Sequence, residues 1–154
     1  MSDTAVKLDS GKRKLSLIHP STMAPILKKY IHKPIAMAMC NLSEAAHAKT
    51  VEEIAEFARM AEENIVEHMQ GMPDAALEEL AMAMEYGEKK YGRNNWKKGM
   101  EWSRLIDAAL RHGLASGRQK TDEESGNTHV AHMLASVHML LGNISLNVGT
   151  NDIC

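Results

Sequence analysis

The sequence predicts an all-α fold: a single-domain helical bundle. Three observations carry this. Apolar residues recur at three-and-four spacing in several segments, and no segment alternates with the period of a strand. Helix start and stop signals punctuate those segments. Aromatic residues make up only 4% of the 154 residues against 44% hydrophobic overall, so the core must be aliphatic, helped by twelve methionines that adapt to irregular helical packing.

The elements follow in order. Residues 1–20 form a polar arm in which Gly11 breaks structure and Lys12-Arg13-Lys14 is a basic run, solvated or else folded over a phosphate. Ser21 or Thr22 caps a first helix with Pro25 in its first turn, and Pro34 interrupts it. Residues 35–48 are helical. Thr50-Val51-Glu52-Glu53 is a capping box opening a helix with Val51, Ile54, Ala58, Ala61 and Ile65 inward, and Gly71 ends it. Glu53 and Glu56 share its acidic face, but Glu53 is the expected capping residue. Pro73-Asp74 opens the next helix, with Leu77, Leu80, Met84 and Tyr91 as its buried stripe. A loop covers 92–102. Ser103 caps a helix over 103–117, with Leu105, Ile106, Ala109, Leu110 and Leu114 inward. After a polar turn at 118–127, Asn127 or Thr128 caps the last helix, 128–146, whose stripe is Val130, Met133, Leu134, Val137, Leu140, Leu141 and Ile144. The tail after 147 is expected to fray.

Composition excludes several classes. A net charge of −2 argues against non-specific binding to a nucleic acid polymer. No apolar run approaches the about 20 residues of a membrane span, and the polar, basic N-terminus is not a secretory signal. Cys40 and Cys154 form no metal or disulfide spacing, which fits a reducing cytoplasm.

The chemistry gathers in residues 85–132. Three consecutive helices packed antiparallel, at about 1.5 Å rise per residue, bring His112 and His132 to one level across the 118–127 turn, with Glu85 roughly level. His129 and His132 are a helical H-x-x-H on one face. Glu88 lies on the edge of the buried stripe, where a carboxylate must be paired or metal-bound. The expected cluster is therefore Glu85, Glu88, His112, His129 and His132. Asp107 pairs with Arg111 at four residues and serves as an orienting group. A mixed carboxylate–imidazole set suits Mg, Mn, Co or Zn, and phosphate chemistry favours Mg2+ or Mn2+. Lys89, Lys90, Arg93, Lys97, Lys98, Arg104 and Arg111 surround the cluster as a polyphosphate clamp with surface members. Trp96 can stack on a base, whereas Trp102 is at least as well placed to cap the core.

With these residues laid out, the chain resembles the phage and bacterial dATP/dGTP diphosphohydrolase family, N-terminal type, akin to the MazG-like all-α nucleotide pyrophosphatases. The resemblance rests on Gly11-Lys12 with Leu15 and Leu17, Glu85-Tyr86-Gly87-x-Lys89-Lys90-Tyr91-Gly92, Asn95-Trp96-x-Lys98-Gly99, Ser103-Arg104, Asp107-Ala108, Arg111-His112, Glu124-Ser125-Gly126 and His129-x-x-His132. It implies a MazG-like bundle whose residues 26–72 are a helical insertion after the N-terminal arm, with residues 73–147 bearing the site. Typical MazG-like enzymes carry E-x-x-E followed by E-x-x-D on successive helices; here His129-x-x-His132 stands in the last place.

The resemblance implies Mg2+-dependent (or Mn2+- or Co2+-dependent) hydrolysis of dGTP or dATP to the monophosphate and pyrophosphate, in phages remodelling nucleotide pools for 2-aminoadenine DNA. It further implies a homo-oligomer in the host cytoplasm. On that footing Glu85, His112, His129 and His132 hold the metal. Glu88 or Glu124 is the general base. Lys12, Lys98, Arg104 and Arg111 hold phosphates, and Tyr91 or Trp96 holds the base or sugar. Two alternatives compete: a triphosphate-releasing hydrolase, disfavoured because no adjacent His-Asp pair exists, and a non-catalytic helical interaction protein.

Overall fold

The computed structural model describes residues 4–5, 11–30 and 33–154. Among them are six α-helices: α1 (Pro20–Tyr30), α2 (Lys33–Ala46), α3 (Val51–His68), α4 (Pro73–Tyr91), α5 (Trp102–Ser116) and α6 (His129–Leu146). Single 3-10 turns lie at Leu15–Leu17 and Asn95–Lys98. The described residues hold no strand, only two isolated bridges, so the expected all-α bundle is what forms. None of the described helices is long and apolar enough to cross a membrane.

Local chemistry explains most boundaries. Thr50 accepts the Glu53 amide at 3.2 Å, and the Glu53 carboxylate reaches back to the Lys49 amide at 2.9 Å. This pair satisfies the Glu53 amide, which the first turn leaves without a helical partner, and ties down the Lys49 amide just before the cap. Thr128 caps α6 the same way, accepting from Ala131 at 3.0 Å. His19, rather than Ser21 or Thr22, caps α1: its Nδ1 accepts the Ser21 amide at 3.2 Å. Pro34 stands at the second position of α2, where a missing amide hydrogen costs no helical bond.

One core unites the helices. Ile35, Met39 and Leu42 of α2, Ile54 and Ile65 of α3, Leu105, Ile106 and Leu110 of α5, and Met133, Val137 and Leu140 of α6 are fully enclosed. Each such side chain contributes roughly 1.5–3 kcal/mol on leaving water. Segment 26–72 thus shares its packing with the site-bearing helices. On α4 the expected stripe is rotated. Leu77 is 64% exposed, while Ala76 and Ala83 are buried. Ala83 meets Ala131 and Ala135 of α6, with Leu80 and Met84 beside them. Small residues let the two helices approach closely, and that contact, rather than leucine hydrophobicity, sets which way α4 faces. Val51 and Leu114 also lie at the surface edge.

The expectations for α5 and for the tail fail together. The helix starts at Trp102, and Ser103 does not cap it. Instead Asp152, from the tail, accepts both the Ser103 amide at 3.0 Å and the Ser103 hydroxyl. Thr150 donates to the Met100 carbonyl at 3.0 Å and accepts from the Trp102 amide at 3.0 Å. The buried Trp102 donates its indole N–H to the Val148 carbonyl at 3.1 Å. The tail is pinned rather than frayed because it supplies a cap that α5 lacks. This docking needs glycine at 99: with φ +85 there, a Cβ would collide with the Gly149 backbone.

Candidate active site

The loop between α5 and α6 builds one wall of the site. Thr121 and Thr128 form an antiparallel bridge, the His129 amide donates to Lys120 at 3.0 Å, and the Asp122 amide donates to Asn127 at 2.8 Å. The chain therefore turns straight back, and three imidazoles meet at one level, as the spacing predicted for His112 and His132. The rings of His112 and His132 stack with centroids 4.8 Å apart. The Nδ1 atoms of His112 and His129 are 3.0 Å apart. Hydrogen-bonded in that way, one ring carries the proton and the other accepts it.

Asp122 and Ser125 brace the third ring. Ser125 Oγ lies 2.6 Å from His132 Nε2, and Asp122 Oδ2 lies 3.9 Å from the same nitrogen. Asp122 also accepts the Ser125 amide at 3.0 Å. Burial alone would raise the Asp122 pKa. The bonds from Ser125 and the fields of His132 and His112 outweigh it and hold the carboxyl below its ordinary value. Tyr86 packs edge-on against His132, centroids 5.7 Å apart.

A second group stands on α4. Lys90 donates to Glu124 Oε1 at 2.8 Å, with its ammonium lying against the rings of Tyr86 and Tyr91. The bond to Glu124 drives the Lys90 pKa well up. The Lys90 and Tyr86 bonds hold Glu124 below the ordinary carboxylate range. Partial burial, then the bond to Glu124, push the Tyr86 hydroxyl up.

These groups border one cavity of about 560 Å³ between α4, α5 and α6. Of the residues expected in the site, Glu85, Glu88, Glu124, Lys12, Tyr91, Trp96, Arg111, His112, His129 and His132 all line it. Lys98, Arg104 and Asp107 do not. Asp107 is 3% exposed and accepts the Ser16 amide at 2.7 Å. Arg111 Nη1, expected to pair with Asp107, instead donates to the Arg13 carbonyl at 3.0 Å. The two residues act alike, each gripping the backbone of the N-terminal arm and bringing Lys12 to the cavity. Lys90, expected in the phosphate clamp, lines the cavity, and so do Asp122 and Tyr86, to which sequence reasoning gave no site role. A signal existed: Tyr86 and Lys90 share a face at four residues, and Asp122 precedes Ser125 by the three residues of a side-chain-bonded turn.

Among the described residues, no three His, Cys, Asp or Glu side chains close around one point as a metal cage. The donor chemistry nonetheless suits a cation that brings most of its own ligands. Glu85 and Glu88 border the cavity, and Mg2+ is commonly held by one or two carboxylates with water and substrate phosphates. The imidazoles of His112, His129 and His132 beside them suit a softer ion such as Co2+ or Zn2+.

Residues 58–152 match the family model described as dATP/dGTP diphosphohydrolase, N-terminal. That stretch holds every cavity-lining residue except Lys12. Gly11-Lys12, Leu15 and Leu17, which carried part of the resemblance, lie outside the match. A protein of Salmonella phage PMBT28 named dATP/dGTP diphosphohydrolase is 45% identical over 56 residues, 36% of this chain. The matched stretch spans 19% of that relative's length. No solved structure matches the chain. With a family match running from the middle of α3 to the docked tail, this chain belongs to the dATP/dGTP diphosphohydrolase N-terminal family.

Proposed function

We propose that the cavity binds a purine deoxynucleoside triphosphate, dGTP or dATP, and hydrolyses it to the monophosphate and pyrophosphate. The observation that carries this is the convergence, in one cavity, of three imidazoles, several carboxylates and the cations Lys12, Lys90 and Arg111. An aromatic end supports it. Trp96 and Tyr91 border the cavity and offer flat faces for a base or sugar.

In this reading Lys12 and Arg111 hold phosphate oxygens by charge-assisted hydrogen bonds. Glu85, His112, His129 and His132 are the side chains that would hold Mg2+, Mn2+ or Co2+. Such an ion neutralises charge developing on phosphate oxygens when bound. Of the two carboxylates expected as general base, Glu124 is engaged by Lys90 and Tyr86, which weaken it as a proton acceptor. Glu88 borders the same cavity, and among the described residues no hydrogen bond or ion pair engages its carboxylate, so it is the better placed of the two to accept the proton of the attacking water. Asp122 and Ser125 hold the His132 ring in place. Supply of nucleotides for a 2-aminoadenine genome and assembly into a homo-oligomer belong to the same proposal and rest on the family alone.

Incubation with dGTP and Mg2+ or Mn2+, followed by separation of products, tests it. Pyrophosphate with dGMP is expected. Triphosphate with deoxyguanosine, or no turnover of any nucleotide, would overturn it.

A further inference from the structure

A second, more open hollow adjoins the cavity, and its chemistry is one-sided. Lys12, Arg13, Arg111 and Arg118 line it with Gly11 and two leucines, and among the described residues no carboxylate does. The whole chain has 20 acidic against 18 basic residues, so four cations without an acid is a departure from its average. Like charges brought together repel, which disfavours the empty arrangement and favours an anion between them. The arm that carries two of them does not drift. Arg111 grips the Arg13 carbonyl at 3.0 Å, and Asp107 grips the Ser16 amide at 2.7 Å. Lys12 and Arg111 border both hollows, so the second is a direct neighbour of the first.

We infer that this basic hollow receives the β- and γ-phosphates of the substrate and holds them as pyrophosphate after cleavage, with Arg13 and Arg118 as binding residues. The inference rests on the proposed reaction. In that step water oxygen bonds to the α-phosphorus. The bond from the α-phosphorus to the bridging oxygen breaks, and pyrophosphate leaves with the electron pair, while the water's proton passes to a carboxylate. Charge therefore builds on the departing group, which the cations of the hollow would offset. Two guanidinium forks suit a ligand with several terminal oxygens.

Calorimetric titration with magnesium pyrophosphate tests this without turnover. Wild-type protein is expected to bind it, including with dGMP already bound. Arg118→Glu should weaken binding by roughly tenfold or more, through loss of one charge-assisted contact and added repulsion, and Arg118→Lys, which keeps the charge but not the fork, should weaken it less. The Arg118 side chain is exposed and only its backbone takes part in the turn after α5, so helical content should not change. A dGTP analogue with a methylene between α and β phosphates should abolish pyrophosphate binding by occupying the hollow. Unchanged affinity in Arg118→Glu, or pyrophosphate still binding beside that analogue, would overturn the inference. So would inorganic sulfate binding as tightly as pyrophosphate. The two readings fail separately. Pyrophosphate binding without dGTP turnover removes the reaction and keeps the hollow. Turnover with unaltered affinity in Arg118→Glu does the reverse.

Discussion

His112 and His132, twenty positions apart on different helices, stack ring on ring at 4.8 Å. Such an arrangement fixes both imidazole planes at the edge of the cavity. Removing one ring frees the other and releases Ser125 from its 2.6 Å contact. His132→Ala is expected to lower kcat by a factor on the order of 10² to 10⁴, the range of a lost acid–base or positioning group. Its far-ultraviolet helical spectrum should survive. Steady-state kinetics on dGTP checks this; full activity would remove His132 from the machinery.

Trp96 rests on Gly142, and the space between them is already filled. A methyl at Gly142 would come within 2.5 Å of the indole Cζ3. Alanine normally helps a helix by about 1 kcal/mol over glycine, but overpacking costs about 1–3 kcal/mol, so Gly142→Ala should be net destabilising. It should also shift Trp96 at the cavity's aromatic end and raise KM. Unchanged melting temperature and unchanged KM together would show that the ring neither packs nor binds as described.

Asp122 predicts an acid limb. Its pKa is lowered on folding from an ordinary 3.8. A depressed carboxyl contributes stability that is present above its ordinary value and is lost as pH falls through the folded value. Urea midpoints should therefore drop as pH falls below about 4, and Asp122→Asn should flatten that drop. Parallel curves for the two proteins would assign the acid limb elsewhere.

Thr50→Ala separates folding from chemistry. Losing the cap on α3 should cost about 1 kcal/mol, seen as a lower urea midpoint at constant slope. The cap lies outside the cavity residues, so kcat on dGTP should hold. A large fall in kcat at a temperature where the variant is folded would tie α3 to the site.

Spacing and capping chemistry made most of this fold readable in advance. Thr50, Thr128 and Pro73 mark helix starts through contacts confined to a few neighbouring residues. The imidazole cluster was readable too, because a short turn between two antiparallel helices leaves little freedom in relative level. What escaped depends on distant partners. Asp152 caps a helix 49 positions earlier. Asp107 and Arg111 look like a pair at helical spacing, yet each bonds an arm more than 90 positions away. The α4 face turned because Ala83 meets Ala131 and Ala135, a fit of small side chains that hydrophobicity along one helix does not encode.

The site of attack is the core of the account, and hydrolysis of dGTP in ¹⁸O-labelled water reads it directly. Attack at the α-phosphorus puts the label in dGMP and leaves pyrophosphate unlabelled, and this is the predicted result. Label in pyrophosphate or triphosphate, or no release of either, would contradict it.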